Sequence, residues 1–130
     1  YCVLLNICHP LLTIETIDDF YKHYLDIESD GLFGVIEKKQ YYWDKNGNLI
    51  TKWIEGFSVM NTNLVEPTYE AAHSLYASRM ATVENEVWMG EAPYTLNNPA
   101  LFKIDEMEAY DIDYPWQFKM AEKLYLGEYD

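Results

Sequence analysis

Leu32-Phe33-Gly34-Val35-Ile36 is a short, continuous apolar run. Its β-branched and aromatic side chains favour a buried β-strand. A second apolar run, Tyr1 to Cys8, is followed by Pro10, and we expect it to form a strand buried on both faces. Ile14 to Glu28 lies between the two runs and has the periodicity of a helix. Strand, helix and strand in this order predict a βαβ unit, and therefore a parallel sheet with a right-handed crossover.

The predicted first helix has clear signals at both ends. Thr13 is a suitable N-cap, and Glu15 in the first turn favours the positive end of the helix dipole. Ser29-Asp30-Gly31 is a typical stop signal. One apolar face is expected to be buried, and it consists of Ile17, Phe20, Tyr21, Tyr24 and Leu25.

The rest of the chain predicts a hairpin, two further strands and two helices. Aromatic arms at 40–43 and 49–53 flank Asn46-Gly47, a strong hairpin turn. We expect strands at Ala72–Ser78 and Leu101–Ile104 and a short helix at Ala81–Val87. A last helix has Pro115 in its first turn and a predicted buried stripe of Phe118, Ala121, Leu124 and Tyr125.

Composition limits the classes of function. The 130 residues suit one domain or part of one, and the net charge of −13 argues against a nucleic-acid or anionic-membrane surface. No apolar run approaches the roughly 18 residues that a membrane span needs. Cys2 and Cys8 are too far apart for a disulfide if they share a strand, so we expect reduced thiols and a cytoplasmic protein. The chain starts within an apolar run and lacks an initiator Met, which suggests missing upstream sequence.

Asp111-Ile112-Asp113 stands where extended chain gives way to the last helix. In an extended tripeptide both carboxylates face the same side, and a hard divalent cation such as Mg²⁺ would neutralise them. The alternative is that Asp113 is the N-cap of the helix and Asp111 is a solvated surface acid.

Common catalytic motifs are absent, including the glycine-rich phosphate loops, C-x-x-C and H-E-x-x-H. Three histidines, His9, His23 and His73, are scattered along the chain. A zinc site built from His9, His73 and a carboxylate is conceivable, although scattered histidines are more often structural.

Three segments, in order, resemble the acylneuraminate (CMP-sialic acid and related) cytidylyltransferases. Leu4 to Thr13 is similar to that family's "L-L-Q/N-x-T-S-P-L-R-T" segment, and Glu66 to Tyr76 resembles its later "N-G-A-I-Y" strand. The most specific match is Asp111 to Glu122, which resembles "D-I-D-T-P-x-D-F-x-x-A-E". The resemblance covers nearly all of residues 1–130, as a single cytidylyltransferase-like domain. It corresponds to the C-terminal two thirds of the family and omits the N-terminal nucleotide loop.

The resemblance implies an α/β fold with a Rossmann-like nucleotide-diphospho-sugar transferase sheet and a β-hairpin insertion, here an incomplete domain. It implies transfer of CMP from CTP to an acidic, sialic acid-like sugar, with Mg²⁺ as cofactor, pyrophosphate as product and a homodimer as the assembly. Carried over by position, Asp111 and Asp113 match the metal-binding catalytic pair. The residues expected to contact substrate are Asn6, His73, Tyr76 and Trp88.

The sequence also departs from the family. Leu12 stands where the family usually has Arg, Cys8-His9 replaces Thr-Ser, and Ala72-His73 replaces Asn-Gly. These departures leave two alternatives open, a family member that binds a sugar or nucleotide without turnover, and an α/β interaction module. They also suggest that His73 contacts the substrate.

Overall fold

The computed structural model describes residues 1–86 and 99–128. The strands are β1 (Cys2–Leu5), β2 (Gly31–Lys38), β3 (Thr68–Ser78) and β4 (Ala100–Lys103). The helices are α1 (Ile14–Asp26), α2 (Met80–Glu84) and α3 (Pro115–Leu126), and a 3-10 turn spans Thr62–Leu64. The chain is therefore α/β, as the sequence predicts, and none of the helices in the described ranges is long and apolar enough to cross a membrane.

The four strands form one mixed sheet in the order β1-β3-β2-β4. β2 and β4 are parallel, whereas β1 pairs antiparallel with β3, with Leu4 opposite Tyr76 and Leu5 opposite Leu75. The prediction of a parallel sheet is therefore wrong for the β1–β3 pair. The physical reason is that β3, which follows much later in the chain, takes the place beside β1 that the local strand–helix–strand pattern assigned to β2.

The strand predicted over Tyr1 to Cys8 is shorter and more exposed than expected. β1 has one neighbour in the sheet, and its residues alternate between half-buried and exposed, with Val3 and Leu5 on the exposed positions. β2 lies between two strands, and Leu32, Val35 and Ile36 are buried as predicted. The difference follows from position in the sheet, because an edge strand has a neighbouring strand on one side, whereas a central strand has neighbours on both sides.

Helix α1 supplies the largest buried side chains of the core. It begins after Thr13, the predicted N-cap, whose hydroxyl accepts a hydrogen bond from the Thr16 amide at 3.2 Å. Phe20 and Tyr24 are fully buried and belong to one cluster with residues of β2, β3 and the segment after β4. Tyr21 and Leu25, predicted to be buried, are each 44% exposed, so the buried stripe of this helix is narrower than its apolar stripe.

Helix α3 starts at Pro115 as predicted, but its N-cap is Tyr114 and not Asp113. The side chain of Gln117 reaches back, and its Oε1 accepts hydrogen bonds at 2.7 Å from the amides of Asp113 and Tyr114. Of the predicted buried stripe, Ala121 is buried, whereas two aromatic members, Phe118 and Tyr125, are 58% and 76% exposed. These aromatics instead border an apolar groove of about 270 Å³.

The described chain forms two compact units, residues 1–36 with 71–130, and residues 37–70. In the second unit the predicted hairpin is reduced to a turn with one antiparallel bridge, Trp43 to Leu49. Asp44 organises the turn, because its carboxylate accepts hydrogen bonds from the amides of Asn46 and Asn48. The Asn48 side chain also donates to it and is the main cause of a lowered Asp44 pKa.

Gly34 marks the tightest packing in the core. A Cβ at this position would lie 2.5 Å from Cδ1 of the buried Ile104 and 3.3 Å from the carbonyl oxygen of Leu75. We expect Gly34→Ala to lower the free energy of unfolding by about 1–3 kcal/mol through overpacking, measured by chemical denaturation. Ile104→Val removes Cδ1, so the double variant should be less destabilised than the sum of the two single changes. Simple additivity would contradict the assigned contact.

Tyr24 gives a pH-dependent test of the core. Its hydroxyl donates to the Asp30 carbonyl at 3.1 Å, and burial raises the pKa of its phenol to about 12. The unfolded phenol ionises near pH 10, so the folded state should lose stability as the pH rises from about 10 to about 12. Tyr24→Phe should abolish this pH dependence, so that the free energies of unfolding at about pH 9 and about pH 11 differ less than they do in the parent protein. Tyr21→Phe, on an exposed position of the same helix, should leave the pH profile unchanged.

Candidate functional site

Four of the predicted site residues line one cavity. Its volume is about 540 Å³, it is widely open to solvent, and its lining residues are Leu4, Leu5, Asn6, Ile7, His73, Tyr76 and Asp111. Residues from β1 and the segment after it, from β3, and from the segment before α3 thus meet at one place. Trp88, also predicted to contact substrate, lies outside the described residues.

Asn6 fixes the wall of the cavity where β1 ends. Its backbone amide donates to the Ser74 carbonyl at 2.9 Å, and its side-chain Nδ2 donates to the His73 carbonyl at 3.2 Å. Its Oδ1 accepts from the Cys8 amide at 3.0 Å and turns the chain away from the sheet. One Nδ2 hydrogen satisfies the His73 carbonyl, so the second hydrogen is available to a ligand.

The Cys8 carbonyl in turn accepts a hydrogen bond from the Ile112 amide at 3.0 Å. This bond holds the Asp111-Ile112-Asp113 segment against the chain that follows β1. Asp111 lines the cavity, whereas Ile112 borders the apolar groove next to α3, so neighbouring side chains point to different places. This alternation is what an extended segment produces.

The carboxylates of Asp111 and Asp113 accept no hydrogen bond from any residue in the described ranges. Asp111 is half-buried and Asp113 is exposed. Because Gln117 satisfies the amides of Asp113 and Tyr114, helix capping does not use the Asp113 carboxylate. Asp113 is not among the residues that line the cavity, so the structure places one member of the predicted pair in its wall and the other outside it.

His73 has an unusual backbone conformation. Its φ of 57° lies in the left-handed region although it is in the interior of β3. A non-glycine residue at such a φ is strained, and residues of this kind are found preferentially at functional sites. Sequence reasoning missed this strain, although the glycine at the matching position of the resembled family was a signal for it.

The His73 ring is held by Tyr76. Nδ1 of His73 and the Tyr76 hydroxyl are 2.7 Å apart, and the Tyr76 ring packs edge-on against Phe33 with centroids 4.9 Å apart. Burial raises the pKa of the Tyr76 phenol, so the hydroxyl keeps its proton at neutral pH. Nε2 of His73 makes no hydrogen bond to any residue that the structure describes.

The electrostatics of the cavity wall are dominated by Asp111. No lysine or arginine is among the described residues that line it, and the single arginine, Arg79, donates to the Ser29 carbonyl and lies 3.7 Å from an Asp30 oxygen. Hydrogen-bond donors to a ligand therefore come from Asn6 and His73. Leu4, Leu5 and Ile7 supply an apolar wall that sequence reasoning did not assign to the site.

The donor set fits a magnesium ion only if the ligand completes its shell. Within residues 1–86 and 99–128, no three His, Cys, Asp or Glu side chains lie close enough together to hold a metal ion. The zinc site from His9, His73 and a carboxylate is therefore not formed by these residues. Mg²⁺ commonly binds one or two carboxylates and takes its other ligands from phosphate and water. Asp111 and Asp113 provide carboxylates of this kind.

His9 lies outside the cavity lining. It is 4% exposed, and neither of its ring nitrogens has a hydrogen-bond partner among the described residues. A separate cavity of about 540 Å³ lies within the unit of residues 37–70, and its polar and aromatic lining includes Tyr42, Lys52, Trp53, Glu55 and Glu66. None of the predicted site residues lines this second cavity.

No protein-family model matches the chain, and no curated protein matches it significantly.

The strain at His73 leads to a direct test. His73→Gly and His73→Ala both remove the imidazole, but glycine adopts a φ of 57° without a steric cost. We expect His73→Gly to be more stable than His73→Ala by about 1 kcal/mol, measured by chemical denaturation. At Ala71, an exposed position of the same strand with ordinary φ, the Gly variant should instead be the less stable by about 0.5–1 kcal/mol. Equal stability of the two His73 variants would contradict the strained conformation.

Proposed function

We propose that this chain is part of a cytidylyltransferase that transfers CMP from CTP to an acidic, sialic acid-like sugar and releases pyrophosphate. The observation that carries the proposal is the convergence of Asn6, His73, Tyr76 and Asp111 on one cavity. These residues were selected by resemblance, and they come from segments far apart in the chain.

The proposed reaction needs a nucleophile, an electrophile and a place for one proton. A hydroxyl oxygen of the sugar forms a bond to the α-phosphorus of CTP, the bond from that phosphorus to the oxygen bridging to the β-phosphorus breaks, and pyrophosphate leaves. The hydroxyl proton passes to a carboxylate or to water. Asp111 lines the cavity and has no hydrogen-bond partner among the described residues, so it is suited to accept that proton or to orient the hydroxyl.

Asp111 and Asp113 are the residues that would hold Mg²⁺, which supplies neutralisation of the charge on the phosphate oxygens. The other residues have positioning roles. Asn6 and His73 offer N–H donors to the sugar, and the Tyr76 ring forms a flat wall against which a sugar can pack.

A second candidate is a protein of the same kind that binds the acidic sugar without transferring a nucleotide. The absence of lysine and arginine from the described lining of the cavity favours it, because a triphosphate needs positive charge from elsewhere. A plain interaction module is less well supported, since the Asp113 carboxylate does not cap α3.

The transferase proposal is tested by pyrophosphate release from CTP and candidate acidic sugars, with and without Mg²⁺, in the full-length protein. We expect Asp111→Asn and Asp113→Asn each to lower turnover by about 100-fold or more, because each removes a carboxylate that would hold the Mg²⁺ needed to neutralise the charge on the phosphate oxygens. Asp19→Asn, which removes an exposed carboxylate on α1, is the control and should leave turnover unchanged.

Unchanged turnover in both aspartate variants would overturn the metal assignment. Sugar binding without pyrophosphate release in the full-length protein would favour the second candidate. We expect the 130-residue chain alone to have no turnover, because it carries only nine lysine and arginine residues against 22 acids. Clear activity of the chain alone would contradict that expectation.

A further inference from the structure

We infer that His73 is the residue that selects for a carboxylate on the sugar, through an N–H donor at Nε2 whose orientation Tyr76 fixes. This inference rests on the proposed function, because it assigns the recognition of the acid group within the same cavity. The resemblance does not supply it, since the matching position in that family is a glycine.

The contact with Tyr76 bears on which ring nitrogen of His73 carries the hydrogen. Nδ1 is 2.7 Å from the Tyr76 hydroxyl, and burial keeps the proton on that phenol. This distance fits donation in either direction, and we assign the hydroxyl as the donor and Nδ1 as the acceptor. In a neutral imidazole the nitrogen that accepts is the unprotonated one, and the hydrogen is therefore on Nε2.

Nε2 of His73 is available to a ligand in the cavity. It has no hydrogen-bond partner in residues 1–86 and 99–128, and His73 lines the cavity. A second donor is the remaining Nδ2 hydrogen of Asn6, whose side chain is bound to the His73 carbonyl. Two N–H donors from adjacent residues match the two oxygens of a carboxylate.

The described lining of the cavity has no cationic group that would bind an anion. Neither lysine nor arginine is part of the described lining, and the remaining polar side chain, Asp111, is an acceptor that repels a carboxylate. A ligand with a carboxylate and several hydroxyls satisfies both ends of the cavity, if its acid group faces His73 and Asn6 and a hydroxyl faces Asp111.

The probes are N-acetylneuraminic acid and its methyl ester, which differ in the charge of the carboxyl group. We expect calorimetric titration of the full-length protein to show that the acid binds about ten- to a hundredfold more tightly than the ester. In His73→Gly this ratio should fall by about five- to tenfold, and the remaining Nδ2 donor of Asn6 accounts for the selectivity that is left. His23→Asn, which removes an imidazole on α1, should keep the parental ratio. Because glycine relieves the backbone strain, misfolding does not explain a loss of selectivity in His73→Gly.

Tyr76→Phe tests the positioning role separately. In ¹⁵N-labelled protein, the imidazole nitrogen resonances should report the Nε2-protonated tautomer of His73, and this population should decrease in Tyr76→Phe. A parental acid-to-ester ratio in His73→Gly would overturn the inference even if the protein releases pyrophosphate from CTP. Conversely, selectivity that depends on His73 in a protein without pyrophosphate release would support the inference and refute the transferase.

Discussion

The side chain of Asn6 makes the contacts on which the site depends. It is 67 residues from His73 in sequence, yet its amide nitrogen binds the His73 carbonyl, and its oxygen accepts from the Cys8 amide. The Cys8 carbonyl then accepts from Ile112. The end of β1, the interior of β3 and the segment before α3 are thereby held together by three consecutive hydrogen bonds.

Local sequence patterns correctly predicted the strands and helices whose position depends mainly on their own residues. β2 is buried because Leu32, Val35 and Ile36 are apolar and central, and α1 starts where Thr13 can cap it. The partner of β1 could not be predicted in this way, since antiparallel pairing with β3 depends on contacts between residues about 70 positions apart. The exposure of Phe118 and Tyr125 was equally inaccessible, because periodicity defines an apolar face but does not provide a surface to cover it.

The site residues were predicted from the family resemblance, and residue type and spacing alone would have identified fewer of them. Spacing left Asp113 as the expected helix cap, and only the structure shows that Gln117 satisfies the amides at this end of α3. The positive φ at His73 was also invisible from local chemistry, since few non-glycine residues adopt it and no neighbouring turn signal marks it. The buried ring nitrogens of His9 have no local sequence signal either, because burial of a polar group depends on the tertiary environment.

Charge and strain together limit what this cavity can bind. A chain with a net charge of −13 repels anions at long range, so an acidic ligand must gain its affinity from short-range, directed donors. Asn6 and His73 are such donors, and both are oriented by bonds to β3 or within it. Placing the imidazole there costs about 1–2 kcal/mol in backbone strain, which a glycine would avoid. A strained histidine in the interior of β3, with Nδ1 bonded to Tyr76 and Nε2 without a hydrogen-bond partner among the described residues, is consistent with the proposed role in binding.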